Sequence, residues 1–422
     1  SMNYQAEPSA IIIFILFVIA VLLISWFFAR KARSASGYFA AGGNIHWSVN
    51  GIAFAGDYLS AASFLGIAGM IATFGYDGFL YSIGYLAGWM VALFVVAEPL
   101  KRLGKYTFAD AIDAKFRSRG VIFAAAVSTL IVSLFYLIPQ MVGAGTLITP
   151  LLGLPFEVGV LMVGVAVILI VATAGMASTT YVQFIKGGLL VVFSLVVVGI
   201  LLVKGFAISP DQPDIPFHRV TTLELTDATP GSLELADPAY SVVQEFNVAD
   251  KTFVKVFGNG EESFWKLEAA SGLLTETQTI IREHGEPDLY NGAPKEEGRF
   301  YQVGHLSQID GTTDLDYVTG SVDPLSFIGK IKEGTVVLWG TQRLTDGNRQ
   351  VTVYYEKPTD GRDVLIPGNK FKIDPAKGAS TADRVNFISL LISLFLGTAA
   401  LPHILIRYYT VPSPSFARKS TL

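Results

Sequence analysis

The sequence contains no cysteine among its 422 residues. Disulfides, thiol catalysis and cysteine metal sites are therefore excluded. Charged residues make up only 16% of the chain, the net charge is −4, and no basic stripe stands apart from the membrane-flanking clusters, so we expect no nucleic-acid partner. The sequence also shows no nucleophile–base pair and no metal-ligand spacing, which predicts that the protein is not an enzyme.

Apolar residues, by contrast, are abundant. They form 51% of the chain, and the mean hydropathy is +0.48. They occur in long runs, and a helix needs roughly 20 apolar residues to cross a bilayer, so the sequence predicts a polytopic helical membrane protein. Seven spans are predicted, at about residues 10–29, 47–72, 79–100, 121–149, 156–174, 181–204 and 385–406.

Basic residues indicate the orientation of these spans, because loops on the cytoplasmic side are enriched in lysine and arginine. Three clusters follow the first, third and seventh spans: Arg30, Lys31 and Arg33; Lys101, Arg102, Lys105, Lys115, Arg117 and Arg119; and Arg407, Arg418 and Lys419. The short connections at 73–78 and 150–155 carry none. The pattern predicts an amino terminus outside and a cytoplasmic carboxyl terminus. The first run lacks a basic leader, so it is expected to be a retained helix.

The composition changes abruptly between the sixth and seventh spans. We divide the chain into a transmembrane region at 1–206, an inserted extracytoplasmic domain at 207–383, and a seventh helix with its tail at 384–422. Short runs of strand character between Asn-Gly and Asp-Gly turn signals predict a β-rich fold for the insert. These runs are Thr252–Phe257, Arg299–His305, Thr335–Leu338, Gln350–Tyr355 and Phe371–Ile373. Binding substrate, covering the entrance, contacting the envelope and a structural role all remain open for it.

The second span carries a carboxylate, Asp57, at its centre, with Gly56 and Ser60 beside it and Ser63 just beyond. A carboxylate at membrane depth costs at least about 2.5–3.5 kcal/mol, so it marks a candidate functional site. Glycine and serine make the helix easy to open, which frees backbone carbonyls to bind a cation. The alternative is a helix packed through small residues, with Asp57 paired to a neighbour.

Two further places in the spans carry polar groups. Pro139 and Gln140 lie in the fourth span, where the glutamine either bonds a neighbouring helix or faces a solvated cavity. In the seventh span, Gly397–His403 reads as a second unwound turn, with Thr398 and His403 supplying polar groups. The two interrupted helices lie five helices apart, which is the spacing of equivalent helices in inverted-repeat transporters.

Six ordered motifs now make a family resemblance visible: Ser36–Gly43, Ala55–Gly66, Gly75–Gly78, Tyr106–Asp110, Gln140–Gly145 and Gly397–Leu405. They resemble the solute:sodium symporter family, and within it the bacterial cation/acetate symporters (acetate permeases) most closely. The resemblance covers about residues 10–206 and 385–420. It implies a leucine-transporter-like fold of two inverted five-helix repeats preceded by one extra helix, in the plasma membrane of a bacterium (the inner membrane).

On that mapping, the chain supplies the extra helix and core helices one to six. The resemblance implies that the backbone carbonyls of Gly56 and Leu59 face a sodium ion. The family's other sodium ligands lie on core helix eight, and this chain stops before core helix seven. We therefore expect a truncated product, a fragment or an interrupted gene.

The function that follows is secondary active uptake of a short monocarboxylate such as acetate, coupled to sodium or protons, with no other cofactor. Asp57 would tune the field near the ion or carry a proton. The candidate substrate ligands are Ser63, Gln140 and Thr398, ranked highest, and then Tyr58, Ser60 and His403. One alternative is another solute, such as pyruvate, propionate, proline or a sugar. The other is an outside sensing or binding domain on a membrane anchor, without transport.

Overall fold

A computed structural model describes residues 8–30, 34–103, 106–209, 217–227, 229, 231–248, 250–269, 271–294, 297, 299–301 and 304–422. The basic residues Lys31, Arg33 and Lys105 of the predicted flanks lie outside these residues. The chain divides into two compact units. A helical unit comprises residues 8–200 and 366–422, and a β-rich unit comprises residues 201–365.

Long apolar helices dominate the helical unit. Six described helices are long and apolar enough to cross a membrane, and the number rises to seven if one bent pair counts as a single span. This fits the predicted multi-pass membrane protein. All the described α-helices, short and long, are α1 Pro8–Ala29, α2 Ala35–Ala40, α3 Trp47–Tyr58, α4 Gly66–Phe74, α5 Tyr76–Val91, α6 Ala97–Leu103, α7 Phe108–Phe116, α8 Arg119–Leu152, α9 Phe156–Lys204, α10 Pro324–Glu333, α11 Gly361–Val364, α12 Thr381–Ala399, α13 Pro402–Leu405 and α14 Pro414–Lys419.

The bent pair is the second predicted span. Helix α3 ends at Tyr58, and the chain resumes with a π-helical turn, Ala61–Leu65, that leads into α4. The bend between the two arms is 57°. Ser60 caps the second arm, because its side chain accepts from Ser63 N–H while the Ser63 hydroxyl accepts from Ser60 N–H. The predicted interruption is therefore present.

The other interruptions differ in kind. Helix α12 ends at Ala399 and α13 begins at Pro402, so the predicted break in the last span is also present. The predicted spans at 156–174 and 181–204 are joined directly within α9, which bends at Gly175 with φ 57° and ψ −150°. A side chain at Gly175 would lie 2.5 Å from the Tyr38 carbonyl oxygen, so both the conformation and the space require glycine.

The β-rich unit contains two antiparallel six-stranded sheets, with strand orders β2-β1-β6-β5-β4-β3 and β10-β11-β12-β7-β8-β9. The strands are β1 Thr222–Asp227, β2 Glu234–Leu235, β3 Tyr240–Val248, β4 Lys251–Gly258, β5 Glu261–Glu268, β6 Leu273–Glu276, β7 Gln278–Arg282, β8 Leu289–Tyr290, β9 Ala293–Pro294, β10 His305–Gln308, β11 Thr335–Asp346 and β12 Arg349–Asp360. Helices α10 Pro324–Glu333 and α11 Gly361–Val364 complete the unit.

Both sheets contribute to one core, in which Phe253 and Phe264 of the first sheet pack with Val351, Val353 and other residues of the second. The predicted runs at 252–257, 335–338 and 350–355 lie in β4, β11 and β12. The prediction is wrong for Phe371–Ile373, which is not a strand, and among the described residues of the run at 299–305 only His305 lies in a strand. The backbone near Phe371 instead bonds a buried carboxylate, as described below.

Candidate cation and substrate site

The break after α3 releases backbone carbonyls from helical hydrogen bonding. In a continuous helix, Ser60 N–H would donate to the Gly56 carbonyl and Ser63 N–H to the Leu59 carbonyl. Instead, Ser60 N–H donates to the Tyr58 carbonyl at 2.8 Å, and Ser63 N–H donates to Ser60 Oγ at 3.3 Å. The carbonyls of Gly56 and Leu59 have therefore lost their helical donors.

Gly56 also marks a close crossing of two helices. A side chain at Gly56 would overlap the carbonyl of Gln183 on α9. A side chain at Gly187 of α9 would lie 2.7 Å from the Ile52 carbonyl and 3.0 Å from Gly56 Cα. The two glycines thus let α3 and α9 approach backbone to backbone, which holds the break against α9.

Asp57 forms an ion pair with Arg407, which follows α13. Arg407 Nη2 donates to Asp57 Oδ1 at 3.0 Å, and Arg407 Nε donates to Asp57 Oδ2. The side chains are only 4% and 11% exposed, for Arg407 and Asp57 respectively. The paired arrangement that the sequence left open is therefore present, and a bidentate fork fixes the orientation of both groups.

Arg407 is further held by the helices around it. Its Nη1 donates to Thr180 Oγ1 at 3.0 Å, and its carbonyl accepts from Asn50 Nδ2 at 3.2 Å. The sequence counted Arg407 among the basic residues that flank a span on the cytoplasmic side. That interpretation is wrong for this residue, because a buried, paired arginine is not a surface charge.

Ser60, Ser63 and Gln140 meet at the break. Gln140 Nε2 donates to Ser60 Oγ at 3.3 Å, and Gln140 Oε1 accepts from Ala61 N–H at 3.1 Å. Ser63 Oγ donates to the Tyr58 carbonyl. Of the two alternatives for Gln140, bonding to a neighbouring helix is present, and through it α8 holds the start of the second arm.

The remaining candidates lie at the same place. Tyr58 Oη donates to the Thr398 carbonyl at 3.2 Å, which links α3 to the end of α12. The His403 ring lies 4.4 Å from the Tyr136 ring, and Tyr136 Oη donates to Ser60 Oγ at 3.1 Å. Both ring nitrogens of His403 are buried without a hydrogen-bond partner among the described residues. The two interrupted helices thus adjoin.

Three residues of this cluster were not predicted. Tyr136 lies one helical turn before Gln140, and Arg407 lies four residues after His403, so helical spacing was the signal for both. Thr180 carries no such signal, because only its contact with Arg407 distinguishes it from other threonines in α9.

A second buried carboxylate, Asp77, lies at the start of α5. It is fully buried and accepts backbone N–H groups from Gly368 at 2.9 Å, from Phe371 at 3.0 Å, and from Lys370. Three such donors satisfy a carboxylate without a cation. Asp77 therefore fixes the segment that precedes α12, and it lies outside the polar cluster at the break.

The donor set at the break fits a sodium ion better than a transition metal. Carbonyl oxygens are hard ligands that suit such cations. Among the described residues, no three or more of the histidine, aspartate and glutamate side chains are grouped to hold a metal. The carbonyls of Gly56 and Leu59, which lack their helical donors, are thus candidate ligands for such a cation.

Comparison with known proteins relates part of the chain to a transporter family. Residues 38–235 match the sodium:solute symporter family. The chain is 48% identical over 202 residues to a protein named "Uncharacterized symporter YwcA" of Bacillus subtilis (strain 168). The alignment covers 48% of this chain and 39% of the relative, so the chain spans about two fifths of the length of this curated protein. The resemblance to the sodium:solute symporter family that the motifs indicate is therefore confirmed over residues 38–235.

Proposed function

We propose that the chain is part of a secondary active symporter that takes up a short monocarboxylate such as acetate with sodium or protons. The observation that carries the proposal is the break after α3, where Gly56 and Leu59 have carbonyls without helical donors. The break lies inside the region that matches the family. The family and the name of the Bacillus relative both indicate a transporter rather than an enzyme.

The coupling ion would bind at the carbonyls of Gly56 and Leu59. Asp57 would act on the ion through its field and not as a ligand, because Arg407 takes both carboxylate oxygens. Each positive charge that moves inward gains about 2.3 kcal/mol per 100 mV of membrane potential. Moving a monovalent anion inward costs the same amount, so the potential would drive accumulation only if more than one cation enters with each anion, and at a ratio of one to one the cation gradient alone would drive it.

A carboxylate substrate needs hydrogen-bond donors and positive potential. Ser63, Gln140 and Thr398, followed by Tyr58, Ser60 and His403, are the proposed ligands. His403 has the most unused capacity, since both of its ring nitrogens are buried without a partner among the described residues. The buried guanidinium of Arg407 adds positive potential within the same cluster. The leucine-transporter-like arrangement of the spans belongs to the same proposal.

Uptake of radiolabelled acetate into proteoliposomes that contain the intact symporter, of which this chain is a part, tests the proposal. We expect accumulation with an inward sodium gradient, and little uptake when choline replaces sodium at a fixed pH gradient and a clamped potential. Gln140→Ala should reduce uptake, whereas Thr146→Val on the same helix should not, because Thr146 Oγ1 bonds only locally to the Val142 carbonyl. Undiminished uptake without sodium would exclude sodium coupling and leave protons.

The orientation belongs to the proposal as well: amino terminus and β-rich unit outside, carboxyl terminus in the cytoplasm. Because the chain contains no cysteine, Val243→Cys creates a single labelling site on β3 that is 50% exposed in the wild type. A membrane-impermeant maleimide should label it on intact cells. Labelling only after lysis would reverse the orientation.

The second candidate function is an outside sensing or binding module without transport. The observation in its favour is that residues 201–365 form a compact unit with a core of their own. A small acid that raises the stability of this unit, with no flux in the proteoliposome assay, would favour the module. Flux of pyruvate, propionate, proline or a sugar in place of acetate would retain the symporter and change only its solute.

A further inference from the structure

The last turn of α9, at the start of the β-rich unit, exposes apolar side chains. The apolar span ends at Lys204, and the last turn before it is exposed at Ile200, Leu201 and Val203, which are 51%, 49% and 71% exposed. Such a surface on a spanning helix contacts lipid chains. The membrane boundary at this end of α9 therefore lies close to Lys204.

The start of α10 is fixed to this last turn. Val322 N–H donates to the Leu202 carbonyl at 2.7 Å, and the rings of Phe206 and Phe327 lie 4.4 Å apart. Helices rise about 1.5 Å per residue, so the Leu202 carbonyl lies only about 3 Å inside the level of Lys204. Helix α10 therefore begins at the depth where the span ends.

The outer face of α10 is apolar at this end. Leu325 is 85% exposed and Ile328 is 55% exposed, and residues three apart in a helix share a face. Phe327 and Ile331 lie on the other side and are partly buried. Lys332 is exposed one turn beyond Ile328 on the outer face. An apolar first turn followed by a lysine is typical of a helix at a membrane interface.

We propose that α10 is an interfacial helix that lies on the bilayer, with Leu325 and Ile328 between the headgroups and the acyl chains. Lys204 and Lys332 then face the lipid phosphates, which attract basic groups at a membrane surface. The lipid occupant is argued from the hydrogen bond that fixes Val322, just before α10, to Leu202 in the exposed apolar last turn of α9. The inference requires only that α9 spans the membrane, and it holds whatever the protein transports.

Collision accessibility of a spin label tests the proposal in the full chain reconstituted in vesicles of phosphatidylcholine and phosphatidylglycerol. The chain lacks cysteine, so Leu325→Cys and Ile328→Cys each carry one label. Both should collide several-fold more with oxygen, which concentrates in lipid, than with a water-soluble nickel chelate. The control is Val243→Cys on β3, an apolar side chain that is 50% exposed, and its label should show the reverse preference.

Two outcomes would overturn the proposal. If the labels at 325 and 328 collide with the nickel chelate as readily as the label at 243, the face is in water. If they are shielded from both oxygen and nickel, protein covers the face, either from another copy or from elsewhere in the chain. The two positions report independently, and both side chains are exposed, so neither substitution removes core packing.

Discussion

At the scale of single residues, the absence of a side chain at Gly56 and Gly187 decides how closely α3 and α9 pack. Alanine normally stabilises a helix by about 0.5–1 kcal/mol relative to glycine. Here the added methyl group would meet backbone atoms, which cannot rotate away. The steric cost, about 1–3 kcal/mol for overpacking, exceeds the propensity gain.

Gly56→Ala and Gly187→Ala should therefore each lower the thermal stability of the purified protein in detergent. Gly188→Ala is the matched control, because Gly188 lies beside Gly187 and a side chain there would meet nothing within 4 Å. It should leave stability unchanged or raise it slightly. Equal behaviour of the Gly187 and Gly188 variants in size-exclusion-monitored melting would contradict the close crossing.

The Asp57–Arg407 pair gives a second prediction at this scale. Removing one partner of a buried ion pair leaves an uncompensated charge and costs about 3–5 kcal/mol. Asp57→Asn and Arg407→Gln should each destabilise the protein strongly. The double variant should recover much of the loss, because neither charge remains.

The control for these single and double variants is Glu98→Gln. It breaks a more exposed ion pair, with Arg418, whose side chain is 57% exposed. Exposed pairs contribute only about 0–1 kcal/mol, so its melting temperature should barely move. Additive losses in the double variant, measured by the same melting assay, would show that Asp57 and Arg407 do not act as a pair.

Sequence reasoning found Asp57 and its cost but not its partner. A carboxylate in an apolar helix demands a cation or donors, which chemistry alone establishes. Arg407 lies 350 positions further along, and only folding brings it to α3. The same limit applies to Asp77, whose three donors come from backbone N–H groups near residue 370 and leave no mark in side-chain composition.

At the scale of elements, the breaks in the helices were easier to predict than the hydrogen bonds that replace the helical ones at each break. Glycine, serine and proline within apolar spans located both interruptions, at Tyr58–Ala61 and Ala399–Pro402. The direct join of two predicted spans at Gly175 could not be predicted. A single residue with positive φ, Gly175 in α9, takes the place of a loop. The requirement for glycine there is seen only from the contact that a side chain would make with Tyr38.

The segment before α12 yields a testable element-scale prediction. Asp77→Asn keeps the size of the side chain but replaces one acceptor oxygen by a donor, so the N–H groups near Lys370 and Phe371 lose a charged acceptor. Their amide hydrogen exchange should become faster. Asp374→Asn is the control, because Asp374 Oδ1 accepts only locally, from Ala376 N–H. Unchanged exchange at 368–371 would mean that Asp77 does not hold this segment.

At the scale of the whole molecule, the two units rely on different physical chemistry. The helical unit exposes many large apolar side chains along its spans, such as Leu161 at 67%, which suits lipid and not water. The β-rich unit buries a core between two sheets, and outside that core it holds two partly buried ionisable side chains, His305 and Glu356. Composition revealed this division. The pairing of the strands depends on their register, however, and short runs of strand-forming residues do not specify it.

The ionisable groups of the β-rich unit predict opposite effects of acid on its stability. Burial lowers the pKa of His305 below 6.5, and burial raises the pKa of Glu356 above 4.5, with Glu276 adding to the rise. His305 Nδ1 lies 3.9 Å from Glu356 Oε1, which is too far for a hydrogen bond, so burial outweighs their attraction.

The sign of each effect follows from proton linkage. As pH falls below 6.5, the unfolded state binds a proton at position 305 that the folded state resists, so acid destabilises the unit through His305. For Glu356, the folded state binds its proton first, so stability rises as pH falls through the raised pKa towards 4.5. The pH dependence of stability in the wild-type unit is the sum of these two contributions.

Single variants separate these contributions. His305→Gln should make the urea midpoint of the unit less sensitive to acidification from pH 7, and Glu356→Gln should make it more sensitive. Amide hydrogen exchange in β11 and β12, corrected for the pH dependence of intrinsic exchange rates, measures the stability of the β-rich unit separately from that of the membrane helices. His284→Gln replaces an exposed histidine in the same unit and should follow the wild type, because that side chain is solvated whether or not the unit is folded. If the His305 and Glu356 variants shift the slope in the same direction, burial is not what sets the two pKa values.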